Sequence, residues 1–131
     1  MNNITIAKPT IAIDPAIMQL AFENEEKGTI VHCELNISEE SLLRIWPGTF
    51  LIEDNGNRCK LLKAFNISIM PEWTLHPAGN QKARFTLVFQ GLSDACKHFK
   101  LIEEINEPGG FYTGTINRNN IDVYQVNIKS T

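Results

Sequence analysis

The sequence predicts an all-β protein, a single antiparallel β-sandwich of about seven strands, a number set by the usual architecture of such domains. Three observations carry that expectation. Runs of strict alternation recur, as in "TIVHCELNI" (29–37), "RFTLVFQGL" (84–92) and "DVYQVNIK" (122–129). The tetrad "DNGN" (54–57) stands between two further apolar runs and reads as a hairpin turn. Links between runs are short and turn-rich, with no recurring helical segments between them.

Taken in order, residues 1–15 hold Ile4, Ile6, Ile11 and Ile13, interrupted by Pro9 and Pro15. Proline cannot donate to a ladder, so this segment reads as an arm or edge strand, with the sandwich proper over 16–131. "AIMQLAF" (16–22) is the next apolar run. In 29–37, Val31, Cys33, Leu35 and Ile37 fall on one face and Ile30, His32, Glu34 and Asn36 on the other, the pattern of a half-buried strand. "SEESLLRIW" (38–46) reads either as a helical turn capped by Ser38 or as a crossing between sheets, ended by Pro47 and Gly48. "TFLIED" and "RCKLLKAFNI" flank the Asn-Gly pair, whose two positions accept positive φ as a type I′ turn requires. Residues 68–83 carry two prolines and read as a loop. In 84–92, Phe85, Leu87 and Phe89 share one face. In 122–129, Tyr124, Val126 and Ile128 oppose Val123, Gln125 and Asn127.

"GLSDACKHFKLIEEINEPGG" (91–110) admits two readings. Leu92, Ala95, Cys96, Phe99 and Ile102 share a helical face, with Ser93 as N-cap, yet a turn followed by a strand fits equally. The surrounding strands favour the second reading. The series "TFLIEDNGNRCKLL", "ARFTLVFQGLSDACKHFKLIEE", "GGFYTGTINRN" and "DVYQV" resembles small immunoglobulin-like β-sandwich domains of uncharacterised bacterial proteins, over roughly the last two thirds of the chain. That resemblance implies an immunoglobulin-like sandwich with no established activity. With it, Ser93–Lys97 reads as a turn or single helical turn and His98–Glu104 as a strand placing Phe99 and Leu101 in the core.

Composition narrows the function classes. A chain of 131 residues suits one domain, and its net charge of −3 gives no positive field to hold nucleic acid. No apolar run approaches the roughly 18 residues that cross a bilayer, so no membrane association is expected. Cys33, Cys59 and Cys96 are odd in number and widely spaced, which fits free thiols in the cytoplasm better than a disulfide framework. An exported protein is the alternative if a leader has been removed. No phosphate-binding glycine loop and no nucleophile elbow is present, and no cofactor is expected.

Three chemistries compete with a plain binding role. His32, Cys33, Cys96 and His98 are metal-ligand types, but His32 and Cys33 point to opposite faces of a strand. A small metal-dependent hydrolase would draw on His76, His98, Cys96 and the glutamates, and Glu103, Glu104 or Glu107 with Asp54 or Asp94 would supply paired carboxylates for glycoside hydrolysis. A carbohydrate- or small-ligand-binding domain would use Trp73 and Tyr112. The favoured expectation is a non-catalytic module that binds another protein through end loops or a sheet edge. Its candidate binding residues are Trp73, His76, Tyr112 and Arg118, because aromatic and arginine side chains on a rigid scaffold dominate binding hot spots. A homodimer through the N-terminal arm is a further expectation.

Overall fold

A computed structural model describes residues 4–6, 28–77 and 81–131. The fold is all-β, with thirteen strands and no helix among the described residues. In chain order these are β1 (Ile4–Ile6), β2 (Thr29–Asn36), β3 (Ser41–Ile45), β4 (Phe50–Glu53), β5 (Arg58–Phe65), β6 (Ser68–Ile69) and β7 (Trp73–His76). They continue with β8 (Lys82–Phe89), β9 (His98–Ile102), β10 (Phe111–Tyr112), β11 (Ile116–Asn117), β12 (Val123–Asn127) and β13 (Lys129–Ser130).

Two sheets form. The larger has nine strands in the order β12-β2-β8-β5-β4-β9-β10-β13, with β11 also on β9; the smaller runs β1-β7-β3-β6. Only Ile128 separates β12, at one margin of the larger sheet, from β13 at the other, so the C-terminal strand draws the two margins together and the layer nearly closes on itself. This arrangement differs from seven antiparallel strands, because β12 runs parallel to β2, β1 to β7 and β3 to β6. Alternation along a strand sets which side chains face inward, but not which neighbour a strand takes or in which direction.

Within 29–35, 84–92, 98–104 and 122–128 the inward residues are those the alternation grouped together, and Leu51 and Cys59 join them. Val31, Cys33, Leu51, Cys59, Phe85, Leu87, Phe89, Phe99, Leu101 and Tyr124 share one buried cluster, with Leu35 and Val126 packed against it. Phe99 and Tyr124 meet edge-on at 4.9 Å, and Phe85 stacks on Phe111 at 5.9 Å. Each such side chain contributes about 1.5–3 kcal/mol on burial. Ile30 and Val88, on the opposite face, are also buried and form a second cluster with Phe65 and Val123.

Ser93–Lys97 is a turn, closed by the Cys96 amide on Ser93 O at 3.0 Å, and β9 begins at His98. The strand reading of this stretch therefore holds. The hairpin at 54–57 also forms, but its turn is not type I′. Gly56 N–H donates to Glu53 O at 2.9 Å and Glu53 N–H to Asn57 O at 2.8 Å, and Gly56 alone has positive φ, at 87°. That is a type I turn with a glycine bulge, which needs a left-handed residue at one position instead of two. The segment 38–46 resolves into strand β3, and the expected loop at 68–83 contains β6 and β7. The apolar run 16–22 and most of the N-terminal arm lie outside the described residues. No helix among the described residues is long and apolar enough to cross a membrane.

Candidate functional site

The small sheet positions an arginine between two tryptophans. β3 and β7 pair antiparallel in the register Ser41↔His76, Leu42↔Leu75, Leu43↔Thr74. Leu43 and Ile45 pack into the core and Thr74 and His76 are buried, so alternation turns Leu42 and Arg44 of β3, and Trp73 and Leu75 of β7, to the outer face. One step further in that register, Arg44 stands opposite Trp73. The Arg44 guanidinium carbon lies 4.0 Å from the Trp73 ring centroid and 5.5 Å from that of Trp46. The Arg44 Nη1 donates to Pro71 O at a long 3.5 Å. None of the ion pairs among the described residues includes Arg44. Both tryptophans are half-buried, and Leu42 beside them is 46% exposed.

A buried carboxylate fixes this surface from beneath. Glu103, 6% exposed, accepts the Trp46 amide at 2.9 Å, the Phe111 amide at 3.1 Å and the Thr49 hydroxyl at 3.4 Å. Burial raises its carboxyl above the ordinary value, while these donors and the charge of Arg44 pull the other way. Thr49 Oγ1 also donates to Trp46 O at 2.8 Å, closing the Pro47-Gly48 turn. Trp46 is thus held by its backbone, and its ring is free to serve as one wall of the stack.

The four binding residues expected from the sequence are not gathered into one site. Trp73 lies in the stack. His76, three residues on, faces inward at 2% exposure, edge-on to Phe85 at 6.4 Å. Burial lowers its pKa, against a hydrogen bond to the Asn66 backbone, and its Nε2 has no partner. Tyr112 is 38% exposed on β10, next to the Phe111 amide that Glu103 holds. Arg118 is engaged within the fold. Its Nε and Nη2 donate to the two oxygens of Asp122 at 3.2 and 3.1 Å, and its Nη1 donates to Cys96 O at 3.2 Å and to Ser93 O. Tyr124 Oη donates to Asp122 at 2.7 Å, so this network locks the 93–97 turn to the start of β12.

The residues of the competing chemistries are dispersed as well. His32 donates or accepts at Thr86 Oγ1, 2.9 Å away, on the outer face of the larger sheet, while Cys33 sits inside. Cys96 Sγ donates to His98 O at 3.4 Å, and the His98 ring is half exposed, 3.8 Å from Asp54. Burial pushes the Cys59 thiol up to about 12 and the other two thiols up as well.

A second buried carboxylate, Glu53, mirrors Glu103 at the opposite end of the β4–β9 pair. It accepts the Ser93 amide at 3.0 Å, the Ser93 hydroxyl, Asn57 Nδ2 at 3.1 Å and Cys59 Sγ at 3.4 Å. Burial pushes its carboxyl up, but those donors outweigh burial and hold it at about 2. Neither Glu53 nor Arg44 is among the residues the sequence singled out, and Glu103 was singled out for paired-carboxylate chemistry, whereas here it is taken up by the Trp46, Phe111 and Thr49 donors. The parity was present, however. Glu53 follows Leu51 by two, Glu103 follows Leu101 by two, and Arg44 falls between Leu42 and Trp46.

No protein-family model, no curated protein and no solved structure matches the chain.

Proposed function

We propose that the protein is a non-catalytic interaction module that binds another protein, and that the outer face of the small sheet is its contact surface. The observation that carries this reading is the Arg44 guanidinium stacked on Trp73 and against Trp46, beside the exposed Leu42. Tryptophan and arginine are the residue types most enriched at binding hot spots. The stack fixes the guanidinium plane in advance and leaves the N–H groups not directed at Pro71 O for a carboxylate, which lowers the ordering cost of binding. Kinship with immunoglobulin-like sandwiches belongs to the same proposal. Its support is the all-β architecture, the short turn-rich links and the inward parity of β2, β8 and β12.

The test is capture of partners from an extract of cells that make the protein, comparing wild type with Arg44→Ala and Trp73→Ala and identifying bound proteins by mass spectrometry. A partner retained by wild type and lost from both variants supports the reading. A partner retained equally by all three rejects this face as the contact surface.

A further inference from the structure

The outer face of β5, β4, β9, β10 and β13 gathers cations around an apolar strip. Strand pairing lays its side chains in two rows. One row runs Lys60, Phe50, Ile102, Tyr112 and Lys129, and the other runs Arg58, Ile52 and Lys100. Leu51, Cys59, Phe99, Leu101, Phe111 and Ile128 hold the alternate positions and lie in the core cluster, so both rows face outward. At about 4.8 Å per strand spacing, Lys60 and Lys129 stand about 19 Å apart along the sheet, and Arg58 and Lys100 about 10 Å. All four cations and Tyr112 are exposed, Ile52 and Ile102 between them are half-buried, and Phe50 is buried.

The fold itself makes little use of these charges. A cation on a sheet surface gains from an acid on the neighbouring strand, yet in these registers each of the four stands opposite an apolar or aromatic residue. None of them joins an ion pair among the described residues. The Arg58 guanidinium lies 4.3 Å from the Phe50 ring centroid, which orders its plane without using its N–H groups. Asp54 and Glu104 continue the outward parity just beyond β4 and β9, and Asp54 lies 3.8 Å from His98. Four cations against these two acids give the face a positive field in a chain of net charge −3.

We propose that this face binds an acidic segment of another protein, one in which aspartate or glutamate side chains are interleaved with apolar ones. Charge complementarity selects the acids, which meet Arg58, Lys60, Lys100 and Lys129 at the rim, while the apolar side chains cover Ile52, Ile102 and Tyr112 at the centre. The same interleaving disfavours single-stranded nucleic acid, whose bases need open aromatic faces. Only Tyr112 offers one here, because the Phe50 ring is buried beneath Arg58. This inference is independent of the Arg44 surface, which lies on the other sheet.

Charge reversal at exposed positions tests the face without touching the core. Random dodecapeptides displayed on phage are selected on the wild-type protein. A synthetic copy of the most enriched peptide, the same peptide with Gln in place of every acid, and an oligothymidylate are then titrated against wild type, the double variant Lys60→Glu/Lys100→Glu, and Arg44→Ala. The expected result is enrichment of sequences that interleave acidic and apolar residues, with binding at least about tenfold weaker for the double variant and for the Gln peptide, and unchanged for Arg44→Ala. In the wild type itself, saturating peptide must protect Lys60 and Lys100 from acetylation while Lys82 stays reactive, a readout that needs no variant. Failure to enrich acidic peptides, equal affinity for wild type and the double variant, or unprotected Lys60 and Lys100 each overturn the proposal. Binding lost with Arg44→Ala but kept by the double variant moves the peptide to the Arg44 surface and overturns it too. Oligothymidylate bound more tightly than the peptide, and lost on charge reversal, assigns the face to nucleic acid instead.

Discussion

Replacing Glu53 by Gln should destabilise the protein strongly at neutral pH and much less in acid. Gln is the shape of a protonated Glu, so the variant imitates the wild type after the carboxyl has taken up its proton. The carboxylate collects the Ser93 amide and hydroxyl, Asn57 Nδ2 and Cys59 Sγ, and is held at about 2 against an ordinary 4.5. At 1.36 kcal/mol per pH unit, that difference corresponds to about 3 kcal/mol of stability at pH 7. A carboxyl depressed in the folded state contributes fully above its unfolded value and loses the contribution as pH falls through the folded one. The gap between wild type and Glu53→Gln should therefore be about 3 kcal/mol at pH 7, begin to shrink below pH 4.5, and be small near pH 2. Urea unfolding of both proteins at pH 7, 5, 4 and 3 measures it. The comparison cancels Glu103, whose raised carboxyl acts in the opposite sense in both proteins. A gap under about 1 kcal/mol at pH 7, or one that stays constant down to pH 3, would refute the reasoning, since each contradicts a charge held by four donors.

Other consequences follow from the same groups. Glu103→Gln should cost less at pH 7 than Glu53→Gln, because burial opposes the Glu103 charge and dominates there; thermal unfolding of the two variants side by side decides it. His76 is depressed by burial, so its neutral form stabilises the fold above about pH 6.5 and that support is lost as pH falls below it. Against His76→Phe, which keeps a ring beside Phe85, the wild type should lose ground as pH falls from 7 to 5, read from urea midpoints, and a constant gap would contradict it. The three thiols are buried and pushed upward, so a disulfide reagent at pH 8 should leave native protein unreacted and titrate three thiols after unfolding in urea. Rapid reaction of the native protein would contradict the placement of Cys33, Cys59 and Cys96.

What the sequence disclosed tracks how local the determining physics is. The alternation of 29–37, 84–92 and 122–129 names inward residues directly, and Val31, Phe85, Leu87 and Tyr124 are where it puts them. The 93–97 turn was legible only in context, since a helical face and a strand face coincide over so few residues. β6 and β7 were hidden because Pro71 and Pro77 mark loop chemistry, and two- to four-residue strands have too few positions for a period to show. The parallel pairing of β12 with β2 is a long-range choice that no local pattern encodes. At the candidate site, Trp73 was visible as a residue type, but Arg44 acquires its meaning only from the register that sets it opposite Trp73. Arg118 had the same composition signal and a different role, because Asp122 lies four residues on and satisfies it. Glu53 and Glu103 resemble solvated strand-end acids until their parity with Leu51 and Leu101 is followed to the end of each strand.

The measurement that bears most directly on the interaction-module reading is the affinity of a captured partner, by calorimetry, for wild type, Arg44→Lys, Trp73→Ala and Leu62→Ala. Leu62 is exposed on β5 in the larger sheet, a different sheet from that of the stack, and serves as the control. The stacked guanidinium and its tryptophan floor predict losses of at least about tenfold for Arg44→Lys and Trp73→Ala and no loss for Leu62→Ala. Equal affinity across all four proteins would contradict the assignment of this face.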